Sequence, residues 1–525
     1  MTEMSTVEEY KQIVTPYLTK WYVVTTFLVV LWYAISAYNT SRIKKKLGCE
    51  EPKRYLKSSF SFIWFARIML RYKKEGRLPE FVGNIFKEMD SDTFWVKIFY
   101  LPVFCTKNHE NIKVLLATQF NDFALGYRHA HFKPMLGDGI FTLDGEGWKN
   151  SRAMLRPQFV REQIAHTQSL ESHLQIFAKH IEASKGSTIN IQDLFFKFTV
   201  DTATEFLFGE SVNSLCDESI GLAPPNDFDG RAGFADAFNL SQSYLASRSY
   251  VQVLYFLIDN KEFRGSIKRV HKFADYYVRK ALSYSDEELE KLSASGYIFL
   301  YELVKQTRNR KILQDQLLNI LVAGRDTTAG LLSFTFFELA RNPEVFEKLK
   351  SEVYKHFGDN ENPRLGSITF ESMKKCEYLK WVLNEILRLY PSVPQNFRVA
   401  TKNTTLPRGG GADGQSPMYI PKGSTIAYSV YFTHRNPEIY GKDAEEFRPE
   451  RWANLKNLGW AYLPFNGGPR ICLGQQFALT EASYVVIRLL QMFPHLESRD
   501  DTYPPKVSFQ LTMCHQEGVY VSMRK

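Results

Sequence analysis

The sequence predicts a mainly α-helical protein with a minor β part and one N-terminal transmembrane helix. Three observations carry this prediction. Helical periodicity dominates the chain beyond residue 60, whereas strand-like segments are short and cluster late in the sequence. Near the N-terminus, residues 21–41 include no charged side chain and are almost entirely apolar or aromatic up to residue 38.

The composition of the 525-residue chain restricts the classes of function that it can serve. Hydrophobic residues make up 44% and charged residues 23%, which excludes a disordered protein and a polytopic membrane protein. Aromatic residues make up 14%, which favours large apolar pockets. The formal net charge is +9, but the basic residues are scattered, so we expect no nucleic-acid partner.

The N-terminal apolar segment predicts a single membrane span. Its length fits a helix of about 20 residues, and aromatic residues lie at both ends. Arg42 and Lys44–Lys46 follow it, so the positive-inside rule places the main domain in the cytosol. A basic start and a small-residue cleavage site, which a signal peptide needs, are missing. We therefore expect a lumenal tail over 1–20, an anchor over 21–41, a basic linker over 42–59 and the main domain over 60–525. In a eukaryotic source, this topology indicates the endoplasmic reticulum membrane.

Helical periodicity and short apolar runs organise the main domain, which has no internal repeat. Helices are expected over 162–183, 191–208, 268–306, 313–341, 343–357, 370–389 and 475–493. Strands are expected over 397–406, 417–420, 425–429 and 519–523. The central helix could begin at Lys311 and reach about 30 residues, roughly 45 Å, before Asn342 and Pro343 end it.

One cysteine lies in a glycine-rich loop directly before a predicted helix. The six cysteines are far apart and form no C-x-x-C pair, which argues against disulfides and tetrathiolate metal sites. Residues 465–474 read FNGGPRICLG, with Cys472 as the only cysteine. Glycines let a flat ligand approach the backbone, and a helix N-terminus stabilises a thiolate. A lone thiolate facing a ligand plane suits an axial haem ligand better than a zinc or iron–sulfur site.

The pattern Phe465-x-x-Gly468-x-Arg470-x-Cys472-x-Gly474 resembles the haem-binding signature of the cytochrome P450 superfamily. The resemblance implies the cytochrome P450 fold, with haem b between a long central helix and the cysteine loop. It implies that Cys472 is the axial ligand of the haem iron. It also implies that Phe465, Arg470 and Gly474 help to bind the cofactor.

A second part of the resemblance lies upstream of the cysteine loop. Glu385 and Arg388 are three residues apart on a predicted helix, so they share one face. Residues 447–452 (FRPERW) follow and include Arg451. The resemblance implies that these three residues form a buried ion network with a structural role behind the haem.

Residues 323–328 (AGRDTT) interrupt the long central helix with residue types that lower helix propensity. At about 100° per residue, Ala323, Asp326 and Thr327 share one face while Arg325 points away. The resemblance implies that this face overlies the haem iron and that Ala323 and Gly324 leave room for oxygen. It further implies that Thr327 hydrogen-bonds the bound oxygen and that Asp326 supplies protons. A surface helix with threonine caps is the alternative, against which the apolar flanks argue.

Haem propionates require cationic or hydrogen-bonding partners. Trp148 and Arg152 lie one turn apart on a predicted helix and offer an indole donor and a guanidinium. The resemblance assigns both to a propionate, together with Arg470 and Arg398. Each of these residues alone would more often lie on a solvated surface.

The resemblance covers the whole chain except the linker, where residues 48–52 replace the proline-rich hinge of microsomal members. Residues 324–329, 394–398 and 465–479 look like the yeast n-alkane and fatty-acid ω-hydroxylase family. This implies a monooxygenase that hydroxylates the terminal methyl of long-chain fatty acids or n-alkanes with O2 and electrons from NADPH. A membrane anchor and a basic body point to NADPH-cytochrome P450 reductase as partner, with cytochrome b5 as a further candidate.

Terminal hydroxylation needs a narrow apolar channel that presents the chain end. The aromatic-rich stretch 228–258 is a candidate roof, with ordinary helix packing as the alternative. Arg231 or Arg248 could bind a substrate carboxylate, although either could instead be a surface residue. Three other functions stay open: a haem-thiolate monooxygenase acting on a sterol or xenobiotic, an enzyme that rearranges peroxides, and a haem protein without turnover.

Overall fold

The computed structural model is mainly helical, as predicted, over the residues that it describes, which are 14–15, 20–55, 61–98, 101–159, 168–223 and 230–525. The helices are α1 (Trp21–Lys46), α2 (Ser61–Lys74), α3 (Leu78–Met89), α4 (His109–Lys113), α5 (Arg128–Leu136), α6 (Gly145–Leu155), α7 (Gln168–Ala183), α8 (Ile191–Phe208), α9 (Phe234–Tyr250), α10 (Lys261–Leu282), α11 (Asp286–Ser295), α12 (Phe299–Gln306), α13 (Arg310–Leu339), α14 (Pro343–Phe357), α15 (Phe370–Lys375), α16 (Glu377–Leu389), α17 (Val430–Thr433), α18 (Pro437–Tyr440) and α19 (Gln475–Met492). The strands are β1 (Lys53–Arg54), β2 (Thr93–Ile98), β3 (Leu101–Thr106), β4 (Phe123–Ala124), β5 (Ile189–Asn190), β6 (Gln395–Ala400), β7 (Thr404–Gly410), β8 (Ser416–Ile420), β9 (Thr425–Ser429), β10 (His495–Ser498), β11 (Val507–Phe509), β12 (Met513–His515) and β13 (Tyr520–Arg524).

The apolar N-terminal helix α1 is exposed along its whole length. Within the described ranges it is the one helix long and apolar enough to cross a membrane, and its 26 residues span about 39 Å. It continues through Lys46, so the first residues of the predicted basic linker are helical. The three lysines of its last turn face the negative end of the helix dipole, which stabilises this extension. Most of the predicted tail over 1–20 lies outside the described residues.

The linker after α1 is held against the β7–β8 hairpin. The N–H of Glu50 donates to the carbonyl of Pro417 at 2.9 Å, and the Ser416 hydroxyl donates to the Glu50 carboxylate at 2.7 Å. Lys44, in the last turn of α1, pairs with Glu51. Strand β1 then joins the edge of the main sheet beside β2. The end of the apolar helix is therefore attached to the body by several polar contacts.

The sheets are small, and the largest has the strand order β1-β2-β3-β9-β6-β4. Three further sheets have the orders β10-β13-β5, β7-β8 and β11-β12. The predicted strands over 417–420, 425–429 and 519–523 are confirmed as β8, β9 and β13. The strand predicted over 397–406 is two strands, β6 and β7, because residues 401–403 turn between them. The β2–β3 hairpin was not predicted.

Most predicted helices are confirmed, and two long ones are divided. Helices α8 and α14 have the predicted bounds, while 162–167 of another prediction lie outside the described residues. The single helix predicted over 268–306 is wrong. Ser285 and Glu288 form a capping box that begins α11, and Gly296 follows its end. The helix predicted over 370–389 likewise breaks at Cys376, between α15 and α16.

The central helix α13 packs against α8, α10, α16 and α19. Leu317 and Leu321, in its N-terminal half, belong to one buried apolar cluster. Ala329 and Leu332, in its C-terminal half, belong to another. The polar segment 323–328 therefore lies between two apolar cores.

Candidate functional site

Cys472 lies in a tight loop between a short 3-10 turn (Gly468–Arg470) and the start of α19. Its N–H donates to the carbonyl of Phe465 at 3.0 Å, which closes the loop on itself. Gly468 has a φ of +68°, and a Cβ there would lie 2.0 Å from the carbonyl oxygen of Leu116. Only glycine allows this close approach. The loop leaves Cys472 itself accessible.

The groups around the Cys472 thiol have opposite effects on its pKa. Crowding by neighbouring atoms raises the pKa of this thiol, whereas the N–H of Gly474 and the guanidinium of Arg152 lower it. Arg152 also donates to the carbonyl of Ile471 at 3.0 Å. The loop and α6 thus place one hydrogen-bond donor and one cation where they favour the thiolate.

Three arginines form a cluster near the loop: Arg128, Arg398 and Arg470. Burial lowers the pKa of Arg470 to about 10, and burial together with the charge of Arg398 lowers the pKa of Arg128 to about 9. In the part of the chain that the structure describes, one carboxylate, that of Asp144, pairs with the cluster, at 2.8 Å from Arg470. Arg128 donates instead to the neutral side chain of Asn396. The buried cluster therefore has more positive than negative charge, which suits the binding of an anion.

The structure also brings Trp148 and Arg152 of α6 to this cluster. Trp148 is buried, and the Arg470 guanidinium lies 4.4 Å from the centre of its ring. The Arg152 guanidinium lies 6.0 Å from the same ring. The predicted set of Trp148, Arg152, Arg398 and Arg470 is therefore assembled around one place. Arg128 was not predicted, because it follows an irregular segment without any periodic pattern.

The face of the central helix that is predicted to overlie the haem is more accessible than the residues around it. Ala323, Gly324, Asp326 and Thr327 are half-buried within an otherwise buried stretch of α13. A Cβ at Gly324 would meet no atom within 4 Å, so open space lies beside the helix there. The Thr327 hydroxyl donates to the carbonyl of Ala323 at 2.7 Å, one turn back.

Arg325 points away from this face, as predicted, yet its guanidinium returns to Asp326. Nη1 of Arg325 lies 3.2 Å from Oδ1 of Asp326, and the arginine side chain is 1% exposed. Burial raises the pKa of Asp326, while Arg325 lowers it. Arg325 was not predicted to be a functional residue, because neighbouring helix positions do not normally contact each other.

These observations together fit a haem. A thiol that stays accessible in a glycine loop suits an iron ligand, and open space at Gly324 suits a flat group beside α13. The excess of arginines suits the two propionates. A family model described as Cytochrome P450 matches residues 58–523. The chain belongs to the cytochrome P450 family.

Known proteins resemble this cytochrome P450 along its whole length. It is 63% identical to Cytochrome P450 52A13 of Debaryomyces hansenii, over 97% of this chain and 98% of the relative. It is 58% identical to Cytochrome P450 52A3-B of Candida maltosa, over 99% of this chain and 100% of the relative. A solved structure, the heme domain of cytochrome P450DA, shares the fold at 21% identity with a TM-score of 0.71, covering 87% of this chain and 94% of that one.

The predicted family, fold and enzyme class are thereby confirmed. Members of the family bind haem through a cysteine ligand, so the protein is a haem-containing P450 monooxygenase. P450s of this kind accept electrons from a redox partner and bind lipophilic substrates. The apolar helix α1 indicates membrane anchoring.

Behind this site, the P450 contains a buried ion network centred on Glu385. Its carboxylate accepts two hydrogen bonds from Arg388, at 2.8 and 2.9 Å, and one from Arg451 at 2.8 Å. The indole of Trp452 and the N–H of Arg448 add two more, each at 3.0 Å. All three predicted members are buried, so the network holds α16 to the segment before the cysteine loop.

The two arginines suggested for a substrate carboxylate are engaged elsewhere in this P450. Arg248 is buried, contrary to a surface position. It donates at 2.7–3.3 Å to the backbone carbonyls of four residues: Ala130, His131, Tyr255 and Ile258. Arg231 pairs with Glu210 at 3.0 Å and donates to the Tyr277 hydroxyl. The expectation that either binds a carboxylate is therefore not supported.

The segment proposed as a channel roof is mostly core. Phe234, Phe238 and Leu245 of α9 are buried in an apolar cluster with α10, which favours the alternative of helix packing. The C-terminal end of the segment is exposed instead, since Phe256 and Leu257 are 61% and 70% exposed. Phe228 lies outside the described residues.

Proposed function

We propose that this P450 hydroxylates the terminal methyl group of long-chain fatty acids or n-alkanes. The observation that carries the proposal is identity of 58–63% over nearly the full length with yeast P450s of the 52A group. The motifs around Arg325, Asn396 and Gln475 support it, since they resemble yeast n-alkane and fatty-acid hydroxylases. A membrane anchor would give such an enzyme access to substrates dissolved in lipid.

In this proposal the sulfur of Cys472 would hold the haem iron. Phe465, Gly474 and Ala323 would help to bind the cofactor. The propionates are held by arginines and an indole that the structure brings together: Arg128, Trp148, Arg152, Arg398 and Arg470. When bound, the haem supplies the activation of O2. Arg152 and the Gly474 N–H lower the pKa of the Cys472 thiol against the effect of burial and so favour its thiolate form.

Thr327 and Asp326 supply protons in the proposed reaction. The Thr327 hydroxyl now donates to the carbonyl of Ala323, and it can reorient to accept a proton from one side and donate it to the other. Burial raises the pKa of Asp326, which allows this carboxyl to hold a proton and release it. The two side chains share the accessible face of α13 beside Gly324, where space is open.

The proposed setting is the endoplasmic reticulum membrane, with α1 as the span. The lumenal tail is 1–20, the anchor 21–41, the linker 42–59 and the haem-thiolate monooxygenase domain 60–525, in the cytosol. The three lysines that end α1 support this orientation. NADPH-cytochrome P450 reductase supplies the electrons, and cytochrome b5 is a further donor.

Product analysis tests the proposed substrate class. The purified holoenzyme is incubated with reductase, NADPH, and lauric acid, palmitic acid or hexadecane, and the products are identified by mass spectrometry. We expect terminal alcohols or diacids, with affinity rising along the chain by roughly 0.8 kcal/mol per buried methylene. Turnover confined to sterols or small aromatic compounds, or hydroxylation scattered along the chain, would contradict the proposal.

The role of Cys472 is tested spectroscopically. The reduced CO complex of the natural enzyme should show the Soret position of a thiolate ligand, and Cys472→His should lose it. Cys49→Ser, which changes a linker cysteine, is the matched control and should keep it. Retention of the thiolate band in Cys472→His would show that another residue is the ligand.

A further inference from the structure

A cavity of about 850 Å³ lies beside the central helix and is lined by both polar and apolar residues. Helices α8, α9 and α13 and the turn between β11 and β12 form its walls. Exposed residues such as Asp193 and Gln510 line it together with the buried Arg325 and Asp326. The cavity therefore connects the protein surface with the polar segment of α13.

Arg325 is an unusual residue for its position, since it is one of the largest fully buried side chains of the protein. Its guanidinium lies 5.6 Å from the ring centre of Phe196 and 5.4 Å from that of Phe238. Nη1 donates to the side-chain oxygen of Asn239, and the same atom lies 3.2 Å from Oδ1 of Asp326. Consecutive helix positions diverge by about 100°, so the arginine side chain bends back to make this last contact, and in this position it packs against α8 and α9.

Several polar atoms at this place have no hydrogen-bond partner among the described residues. They are Nε of Arg325, Nε2 of Gln242 and Oδ1 of Asp326, the last of which lies in an ion pair with Nη1 of Arg325 at 3.2 Å. All three residues line the cavity. Buried polar atoms of this kind are normally satisfied by ordered water, and a cavity of this size holds many water molecules.

Other charged groups also face the pair. Asp193 and Lys197 come from α8, Asp236 from α9, and Arg231 from the segment before α9. Asp201 of α8 acts on the charge of Arg325 from a greater distance, and Cys514 of β12 completes the wall. Among the described residues, Arg325 is the cation that contacts Asp326 and lowers its pKa, while Arg231 is paired with Glu210.

We propose that Arg325 is a positioning residue that holds the Asp326 carboxylate at the cavity, where it exchanges protons with cavity water. Asn239 and the two phenylalanine rings fix the guanidinium, and the guanidinium fixes the carboxylate. Water that enters past Asp193 and Gln510 then reaches Asp326 through this cavity. This inference rests on the proposed proton-supplying role of Asp326.

Infrared pH titration of the resting holoenzyme tests the contact without turnover. The stretching band of a protonated buried carboxyl group is followed with pH and assigned to Asp326 by its loss in Asp326→Asn. Arg325→Gln removes the charge that lowers the pKa of Asp326, so the titration midpoint should rise by about one pH unit or more. Arg325→Lys, which keeps the charge, should recover part of the shift.

Arg231→Gln is the matched control, because it removes the same charge from the same cavity but does not contact Asp326. Its midpoint should stay close to that of the natural enzyme. An unchanged midpoint in Arg325→Gln, or an equal shift in both variants, would overturn the proposal.

Should Arg325→Gln not fold, Asn239→Ala replaces it and should shift the midpoint in the same direction by less. No shift in Asn239→Ala would overturn the proposal as well. Coupling of NADPH to product in Asp326→Asn tests the proton role separately.

Discussion

Glu385→Gln should destabilise this P450 strongly, because it leaves the buried Arg388 without its counter-charge and leaves Arg451 paired with Asp443 alone. The Glu385 carboxylate receives five hydrogen bonds, and its side chain and that of Arg388 are 0% exposed. Breaking a buried pair by neutralising one partner costs about 3–5 kcal/mol. For a domain of roughly 470 residues the unfolding entropy is about 1 kcal/mol per degree, which predicts a fall in apparent Tm of about 3–5 °C.

The matched control is Glu377→Gln, which makes the same chemical change on the same helix at an exposed position. It removes about 0.3–1 kcal/mol of interaction with the helix dipole, so its Tm should change by about 1 °C or less. Both variants are heated at one scan rate, and unfolding is followed by tryptophan fluorescence and by loss of the haem Soret band. Equal melting of the two variants would refute the view that the network carries stability.

Three further outcomes are expected. Thr327→Ala should bind haem and substrate normally yet divert reducing equivalents from NADPH to peroxide, and unchanged coupling would remove Thr327 from the mechanism. Arg128→Gln should release haem to apomyoglobin about 10–100-fold faster than Lys133→Gln, since a hydrogen bond to a charged group contributes about 1.5–3 kcal/mol; equal rates would contradict this. Burial raises the pKa of Glu338 and Glu481 to about 7 from 4.5, so the stability they give is full below pH 4.5 and is lost as the pH rises through 7. Replacing both residues with Gln should flatten the pH dependence of the free energy of unfolding, measured with urea, over that range. An unchanged pH dependence would contradict this role of the two glutamates.

Helices with strong local signals could be predicted from the sequence. Pro343 at the first position and Gly358 after the last explain why α14 has its predicted bounds. The breaks inside 268–306 were missed because the apolar periodicity continues across them. A local signal was present there, since Ser285 and Glu288 have the spacing of a capping box.

The β2–β3 hairpin could not be predicted from alternation alone. Phe94 and Val96 face the core, but Trp95 between them is also large and apolar, so the period of two is hidden. The hairpin also depends on a partner far away along the chain, since β9 pairs with the outer side of β3. Sheet pairing of this kind depends on tertiary context.

For the candidate site, the motif residues could be found and their supporting residues could not. Cys472 lies in a glycine-rich loop and Asp326 lies in a segment of low helix propensity within a long helix. Both patterns can be recognised in a single sequence. Arg128 and Arg325 carry no such pattern. Their importance follows from charge balance in three dimensions: one lies beside other arginines and the other beside a buried carboxyl group.

The docking of the linker on the β7–β8 hairpin has a consequence for how the enzyme meets its electron donor. Leu47, Gly48 and Cys49 separate the end of α1 from the docked Glu50, and the link spans at most about 14 Å. With α1 in a membrane, the body cannot tumble freely above the bilayer, and its remaining freedom is drift in the plane and rotation about the membrane normal. An encounter with a redox partner in the same membrane would then be a search in two dimensions with one face already oriented. A flexible glycine–serine insertion after Lys46 would keep the body tethered to the membrane but free its orientation, and should slow the first electron transfer while leaving the haem pocket untouched.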